Sequence, residues 1–492
     1  PYIMTLDIGP SSAGFVNLVK YSLPVDQQHH AMHVRLNNTT KYAINPFDTQ
    51  LGVRFPTASK EGFLVNLMCL LLADDELHVQ EGMAGLALKA IREAYRRTDD
   101  PQTPKRYQLN QAAEIDQWIK ESGFSHVGNQ SLTWWNLVDE LFARDLFLLA
   151  SIAQRYAVPT VKDFAVVAAS AEIMVTFDEI KVSTQETAPA YFIRSLSEVV
   201  DRYPVLAGPT QFDVGEARVV ALDLEKVTAD DISSEGKRQA CVMYLLGREV
   251  LSGRLKVDAG DVEHFPSHTR AYHMQRVREL RETTKSLNYD EAHRISGQEQ
   301  VIEQLSRDIR EGPKYRVVTS LATQEIGDLN ATMVNLAANK ILLGVGNPAE
   351  AKKIQELVGL SDEATQMLRS IRRAGPEGST ALYLLQIDKA PGYIMLPLVL
   401  TLGPEEVWAY STTNEDDALR QRCYEKAGVP RTLNALKTFF PETTVTTYLE
   451  QLREANTSER SIDYIEEIAE QILSGQFDRH AYLQNVRYGG NQ

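Results

Sequence analysis

Apolar residues recur along this chain with two different periods, and the switches between them mark out its elements. The run Tyr2-Ile3-Met4-Thr5-Leu6-Asp7-Ile8 gives way to Gly9-Pro10-Ser11-Ser12, which reads as a buried strand and a turn. Residues 31–36 alternate with period two and Asn45-Pro46-Phe47-Asp48 has turn chemistry, so residues 1–60 are expected to be strands and turns. From 61 to 98 the period becomes helical, with Phe63, Leu64, Leu67, Leu70 and Leu71 on one stripe and Met83, Leu86, Leu88, Ile91 and Tyr95 on another. Residues 99–215 read as an all-α insertion with scattered aromatics (Trp118, Trp134, Trp135, Phe142, Phe147), in which 137–152 has the period of one buried helix. Strand character returns at 217–224, then at Val317–Leu321, 340–344, 379–387 and 393–400, with helices at 234–253 and 301–310 between. Helices alternating with short apolar strands predict an α/β fold whose mostly parallel sheet is covered on both faces. The expected divisions are 1–98 and 216–425 for the two parts of that domain, the insertion between them, and a helical tail over 426–492 ending in polar, disordered Gly489-Gly490-Asn491-Gln492.

The totals change this picture little. A chain of 492 residues with 43% hydrophobic and 24% charged residues is an ordinary globular composition. No apolar run is long enough to span a bilayer. Cys69, Cys241 and Cys423 lie far apart, which fits a reducing compartment and offers neither a disulfide framework nor a zinc site. A net charge of −15 argues against strong intrinsic adhesion to DNA, and so lowers the reading of a DNA pump.

Chemistry concentrates in Leu287-Asn288-Tyr289-Asp290-Glu291-Ala292-His293-Arg294 and, downstream, in Arg316–Gln324 with its Thr323-Gln324 ending. An apolar approach ending in Asp-Glu, then a second strand ending in Thr-Gln, is how P-loop NTPases present metal-binding, water-activating and γ-phosphate-sensing groups. On that reading Asp290 holds Mg²⁺ through its water shell, Glu291 orients and deprotonates the attacking water, and Gln324 touches the γ-phosphate of ATP or that water. Asp7, at the end of the first strand, aids the metal site or caps a turn, and Thr323 joins the nucleotide contacts. Asn288 is a polar residue where such a strand is usually apolar. Arg369, Arg372 and Arg373 form either a solvated helix face or an arginine finger reaching a neighbour's nucleotide, with Arg310 and Lys314 as rivals. His293 is expected on a helix surface, and His29, His30 and His33 at a turn and strand edge, rather than on a metal. The sequence Ser320-Leu321-Ala322-Thr323 nearly imitates a superfamily-two helicase, but Gln324 and the lack of a second motor lobe exclude one.

No G-x-x-x-x-G-K-[ST] occurs anywhere. The chain opens directly on an apolar run with no initiator Met, so the expectation is a fragment cut just downstream of its phosphate-binding loop and inactive alone.

Taken in order, Val219–Leu224, Asp290–Arg294, Ile309–Tyr315, Thr323-Gln324 and Asn335–Ile341 resemble the conjugation and secretion ATPases of the HerA/FtsK-like branch. Leu6–Ser12 and Ile44–Asp48 are similar to the large cytoplasmic ATPase of type IV secretion systems, nearest its type IVB (Dot/Icm) version. The resemblance implies a RecA-like motor with an all-α insertion, using ATP and Mg²⁺. It implies a homo-hexamer in the bacterial cytoplasm, peripheral at the inner membrane. The expected partners are a PilT-like secretion ATPase ring, inner-membrane secretion complex subunits and secreted effector substrates. Members usually carry Gly-Arg-Lys before the sensor strand; here Pro313 replaces that Arg and Arg316 stands where a Gly is common.

Overall fold

A computed structural model describes residues 1–74, 78–124, 132–183, 185–228, 233–295, 299–371, 375, 378–387, 393–455 and 463–488. Five strands, β1 (Tyr2–Asp7), β2 (Ala31–Arg35), β3 (Val219–Asp223), β4 (Lys285–Tyr289) and β5 (Val317–Leu321), form one sheet in the order β2-β3-β1-β4-β5. Every pairing in it is parallel. The α/β class expected from the alternating periods is therefore the class observed.

Period-two alternation decides which side chains enter the core. Tyr2, Met4 and Leu6 of β1, Val220 and Leu222 of β3, and Leu287 and Tyr289 of β4 share one buried face. The helix Ser234–Ser252 lies close over it, because Gly247 has no side chain: a Cβ there would stand 2.6 Å from Cδ1 of the fully buried Leu6. Gly247→Val should therefore destabilise the fold by about 2 kcal/mol through overpacking. A urea unfolding midpoint equal to the parent's would mean that Leu6 can move aside.

The opposite face is covered unevenly. Val16 of the helix Ala13–Ser22 packs on Ala31 and Ala221, over β2 and β3. Thr5, Ser286, Asn288, Val318 and Ser320 occupy this same face over β1, β4 and β5, and Val318 is 58% exposed. Asn288 fits there because its Nδ2 donates to Thr5 Oγ1 at 3.2 Å and its Oδ1 accepts from Ser286 Oγ at 2.7 Å. The expected cover on both faces is thus complete on one side and partial on the other.

Four further expectations need correction. Residues 1–60 are not only strands and turns, since Ser12 is followed by the amphipathic helix Ala13–Ser22. The segment 137–152 is two helices, Trp134–Ala143 and Phe147–Ala157, parted where Asp145 takes a left-handed φ of 59°. The last strands do not extend the parallel sheet. β6 (Asn339–Leu342), β7 (Ser379–Gln386) and β8 (Tyr393–Leu400) form a separate antiparallel sheet, because β7 and β8 are consecutive and pair as a hairpin. Finally, the division at residue 425 lies just before the chain leaves helical geometry at Gly428 (φ 72°, ψ 173°), but the helical segments on both sides, within Asn414–Phe439, share one apolar cluster that joins Trp408 to Phe440, Tyr448 and Ile468. Between 99 and 215 the described elements are helices, from Ala113–Ser122 to Ala188–Arg202, with a short 3₁₀ turn at Pro204–Leu206. Residues 489–492 lie outside the described residues. No described helix is long and apolar enough to cross a membrane.

Candidate functional site

A parallel sheet brings the C-terminal ends of its strands to one edge, and here that edge carries charge. Arg35 of β2 is in register with Asp223 of β3, and Asp223 with Asp7 of β1. Asp290 follows Tyr289, the residue next to Leu6, and its N–H donates to Leu6 O at 2.9 Å. Neighbouring strands lie about 4.8 Å apart, so three carboxylates and one guanidinium stand in a row.

The two inner carboxylates differ in how far they are satisfied. Asp223 is fully buried and accepts from Arg35 Nε at 2.6 Å, Gly9 N at 3.1 Å and Glu225 N at 2.8 Å. That hydrogen bond holds the Arg35 guanidinium above its ordinary pKa. Gly9 reaches Asp223 by turning at φ 126°, a conformation that favours glycine. Asp7, 1% exposed, takes Ser11 Oγ at 2.5 Å and Ser12 N at 2.8 Å on Oδ2, while its buried Oδ1 has no hydrogen bond among the described residues. Ser11 Oγ is also 3.1 Å from Asp290 Oδ2. One hydroxyl has one hydrogen, so it serves two carboxylates incompletely. An unpaired buried oxygen beside a second carboxylate is a place where positive charge, such as a hydrated Mg²⁺, is favoured.

The polypeptide bends sharply after Asp290. Glu291 has a left-handed φ of 52°, which costs a non-glycine residue about 1 kcal/mol. Its N–H caps Asp290 Oδ1 at 2.9 Å, and Ala292 N donates to Ala322 O at 2.9 Å, tying a 3₁₀ turn (Ala292–Ile295) to the end of β5. The bend swings the Glu291 side chain towards β5. There Gln324 Nε2 donates to Glu291 Oε2 at 3.0 Å. Two residues separated by a whole helix thus meet across adjacent strand ends.

His293 sits half-buried on that short 3₁₀ turn and faces Glu291. Its Nδ1 stands 3.0 Å from Glu291 Oε2, with the two side chains 27% and 30% exposed. Thr323 turns aside: its hydroxyl donates to Asp328 Oδ2 at 2.7 Å and closes the turn that follows. Among the arginines, Arg310 ends the helix Glu299–Glu311, which feeds the N-terminal end of β5 and so lies at the other end of the sheet. Its Nε donates to Ser306 O at 3.2 Å. Arg369 ends the helix Asp362–Arg369, whose Leu368 packs against Leu382 and Leu384 of the second sheet. Arg372 and Arg373 lie outside the described residues. Neither described arginine is hydrogen-bonded or ion-paired to Asp290, Glu291 or Gln324. Lys314 is held by Asp258 at 2.6 Å, which raises it above the ordinary lysine pKa. Arg316 takes a left-handed φ of 55°, which explains why glycine suits that position.

Beneath the edge sits a buried ion network. Tyr289 donates to Asp308 Oδ2 at 2.9 Å, and Asp308 also accepts from Arg248 (2.6 and 2.9 Å) and from Lys256. Burial alone would push the Asp308 carboxyl up, but Arg248 and Lys256 outweigh it and hold the group below the usual carboxylate range.

The residues present fit one half of a nucleotide site. Asp290, Ser11 and Asp7 suit the water shell of a divalent cation, and Glu291 with Gln324 suits a water or phosphoryl oxygen. A triphosphate also needs a run of backbone N–H groups and a cation, and no described loop at this edge supplies them.

No family model matches the sequence, and no curated protein matches it significantly. Among solved structures the chain is similar to VirB4 of Thermoanaerobacter pseudethanolicus, at 14% identity over 82% of this chain and 83% of that one, with a TM-score of 0.47. A likeness that loose carries no argument about function.

Proposed function

We propose that this chain is the motor part of an ATP-hydrolysing ring protein that energises export of protein (or nucleoprotein) by a type IV secretion system, most like the Dot/Icm ATPase DotO (IcmB). The observation that carries the reading is the hydrogen bond from Gln324 to Glu291, beside Asp290, across the ends of two adjacent parallel strands. Carboxylates there have no evident structural duty that a left-handed glutamate would be needed for, whereas strain at such a residue accompanies function.

In this reading Asp290 holds the water shell of Mg²⁺, with Ser11 and Asp7 behind it. Glu291 takes the proton of a water, and Gln324 orients the reacting oxygen. ATP when bound supplies the phosphoryl group. Its phosphate cradle is not among the described residues, and the free side of β5 and the exposed face around Val318 leave room for one. Arg369, Arg373 or Arg310 acts on the site of a neighbouring subunit in a hexamer. The ring works at the cytoplasmic side of the inner membrane against a PilT-like ATPase ring, inner-membrane subunits and secreted effectors.

The intact protein should hydrolyse ATP only with a divalent metal. Asp290→Asn should raise the Mg²⁺ concentration for half-maximal rate by at least about tenfold, the order expected when a charged ligand loses its charge. Turnover indifferent to both chelator and this substitution would defeat the assignment. A nucleotide-independent docking platform for a partner ring is the second reading, favoured by the missing phosphate cradle among the described residues. An intact protein that never turns over ATP would select it.

A further inference from the structure

Glu291 is approached by two side chains of different stiffness, both within reach of one oxygen. Gln324 is exposed at the end of β5, and its amide bonds Oε2 at 3.0 Å. His293 is half-buried in the turn pinned by Ala292 N to Ala322 O, and its Nδ1 stands 3.0 Å from the same oxygen. That contact is off the line of the ring N–H, so Nδ1, itself shielded from water, makes no hydrogen bond with any described residue. A shielded ring nitrogen with an acceptor at contact distance needs only a small rotation of the carboxylate to become a donor.

We infer that His293 is a positioning residue for Glu291: its Nδ1–H holds Oε2 whenever Gln324 turns to the reacting group. This rests on the motor reading above. The long Gln324 side chain is free to exchange partners, whereas the imidazole is fixed by a two-bond side chain on a tethered turn. Held by the ring, the carboxylate stays in one rotamer through the exchange. Positioning of this kind acts on rate rather than on nucleotide affinity, because misplacing a reacting group by about 1 Å costs up to about a hundredfold.

The test is steady-state hydrolysis of Mg·ATP by the intact protein. His293→Ala should lower kcat by about ten- to a hundredfold with KM within about twofold. His293→Asn, whose amide nitrogen sits where Nδ1 does, should recover kcat to within about fivefold of the parent. A second readout needs no nucleotide. With histidine labelled by ¹⁵N, Gln324→Ala should move the His293 Nδ1 resonance to a hydrogen-bonded N–H, and adding Glu291→Ala should abolish that shift. An unaltered kcat in His293→Ala, an Asn variant no better than the Ala variant, or an Nδ1 resonance indifferent to Glu291 would each overturn the inference. If Glu291→Gln itself turns over at the parent rate, the motor reading fails instead; a dead Glu291→Gln beside a normal His293→Ala sinks only the role of His293.

Discussion

Glu291→Gln in the intact protein should cut ATP turnover by about 10²- to 10⁴-fold, the range for removing a general base, while ATP binding survives. The substitution keeps shape and volume. Its amide oxygen can still accept from Gln324, as Glu291 Oε2 does at 3.0 Å, and the left-handed backbone at φ 52° is as accessible to Gln as to Glu. Only the ability to take a proton is lost. Asp290 remains, with its Oδ1 capped by the N–H of residue 291, so a divalent cation keeps its main carboxylate. Rate and affinity should therefore separate: steady-state hydrolysis collapses, and equilibrium binding of a fluorescent ATP analogue stays within about threefold, since the altered bond serves the reaction and not the ground state. Turnover near the parent rate would remove Glu291 from the chemistry and leave the edge a purely structural acidic row.

Asp308→Ala should destabilise the fold by about 3–5 kcal/mol, the cost of stripping the partner from buried charges. Asp308 is 2% exposed and is the common acceptor for Lys256, which would be left unpaired, for Arg248, which would keep only Glu249 at 2.9 Å, and for the hydroxyl of fully buried Tyr289. Replacing Asp308 and Arg248 together, by Leu and Met, should cost less than Asp308→Ala alone, because fewer uncompensated charges stay inside. Urea unfolding of the three proteins reads this directly. The sign of its pH dependence follows from the depressed carboxyl. The folded-state pKa lies below the unfolded value of about 3.9, so the contribution is whole above about pH 5 and fades as pH falls through the folded-state pKa. The parent should lose stability on acidification more steeply than Asp308→Ala. Equal slopes would show that another carboxylate carries the acid sensitivity. Because Tyr289 directly precedes Asp290, a milder variant that folds should also report whether this network sets the height of the carboxylate edge.

What the residue pattern disclosed of the site was its local half. Asp290, Glu291 and Gln324 lie at the ends of two short apolar strands, and period, order and residue type suffice to bring them together. Ser11, Asp223 and His293 were harder to see for a common reason. Each acquires its part from a neighbour distant in sequence or from a backbone bend: Ser11 from Asp290, Asp223 from Arg35, and His293 from the left-handed turn at Glu291 that precedes it. The helix Ala13–Ser22 was hidden by its prefix, because Gly-Pro-Ser-Ser reads equally well as a turn or as the approach to a helix. Asp145 has no signal in a hydrophobic period, yet its left-handed backbone cuts one expected helix into two. The second sheet escaped because a strand's period does not reveal its partner; that β7 and β8 pair antiparallel, away from β5, is a property of the connection. An arginine finger belongs to contacts between subunits, which no pattern within one chain encodes.

The open flank of β5 has a consequence for how this polypeptide behaves in solution. Among the described residues no strand pairs with the far side of β5, and with Val318 exposed beside it that edge is a template on which an extended peptide can zip, including the same strand of another copy. Handled by itself, the chain carries a built-in route to pairing edge to edge with a second copy. Whatever caps that flank also keeps the chain from pairing with itself.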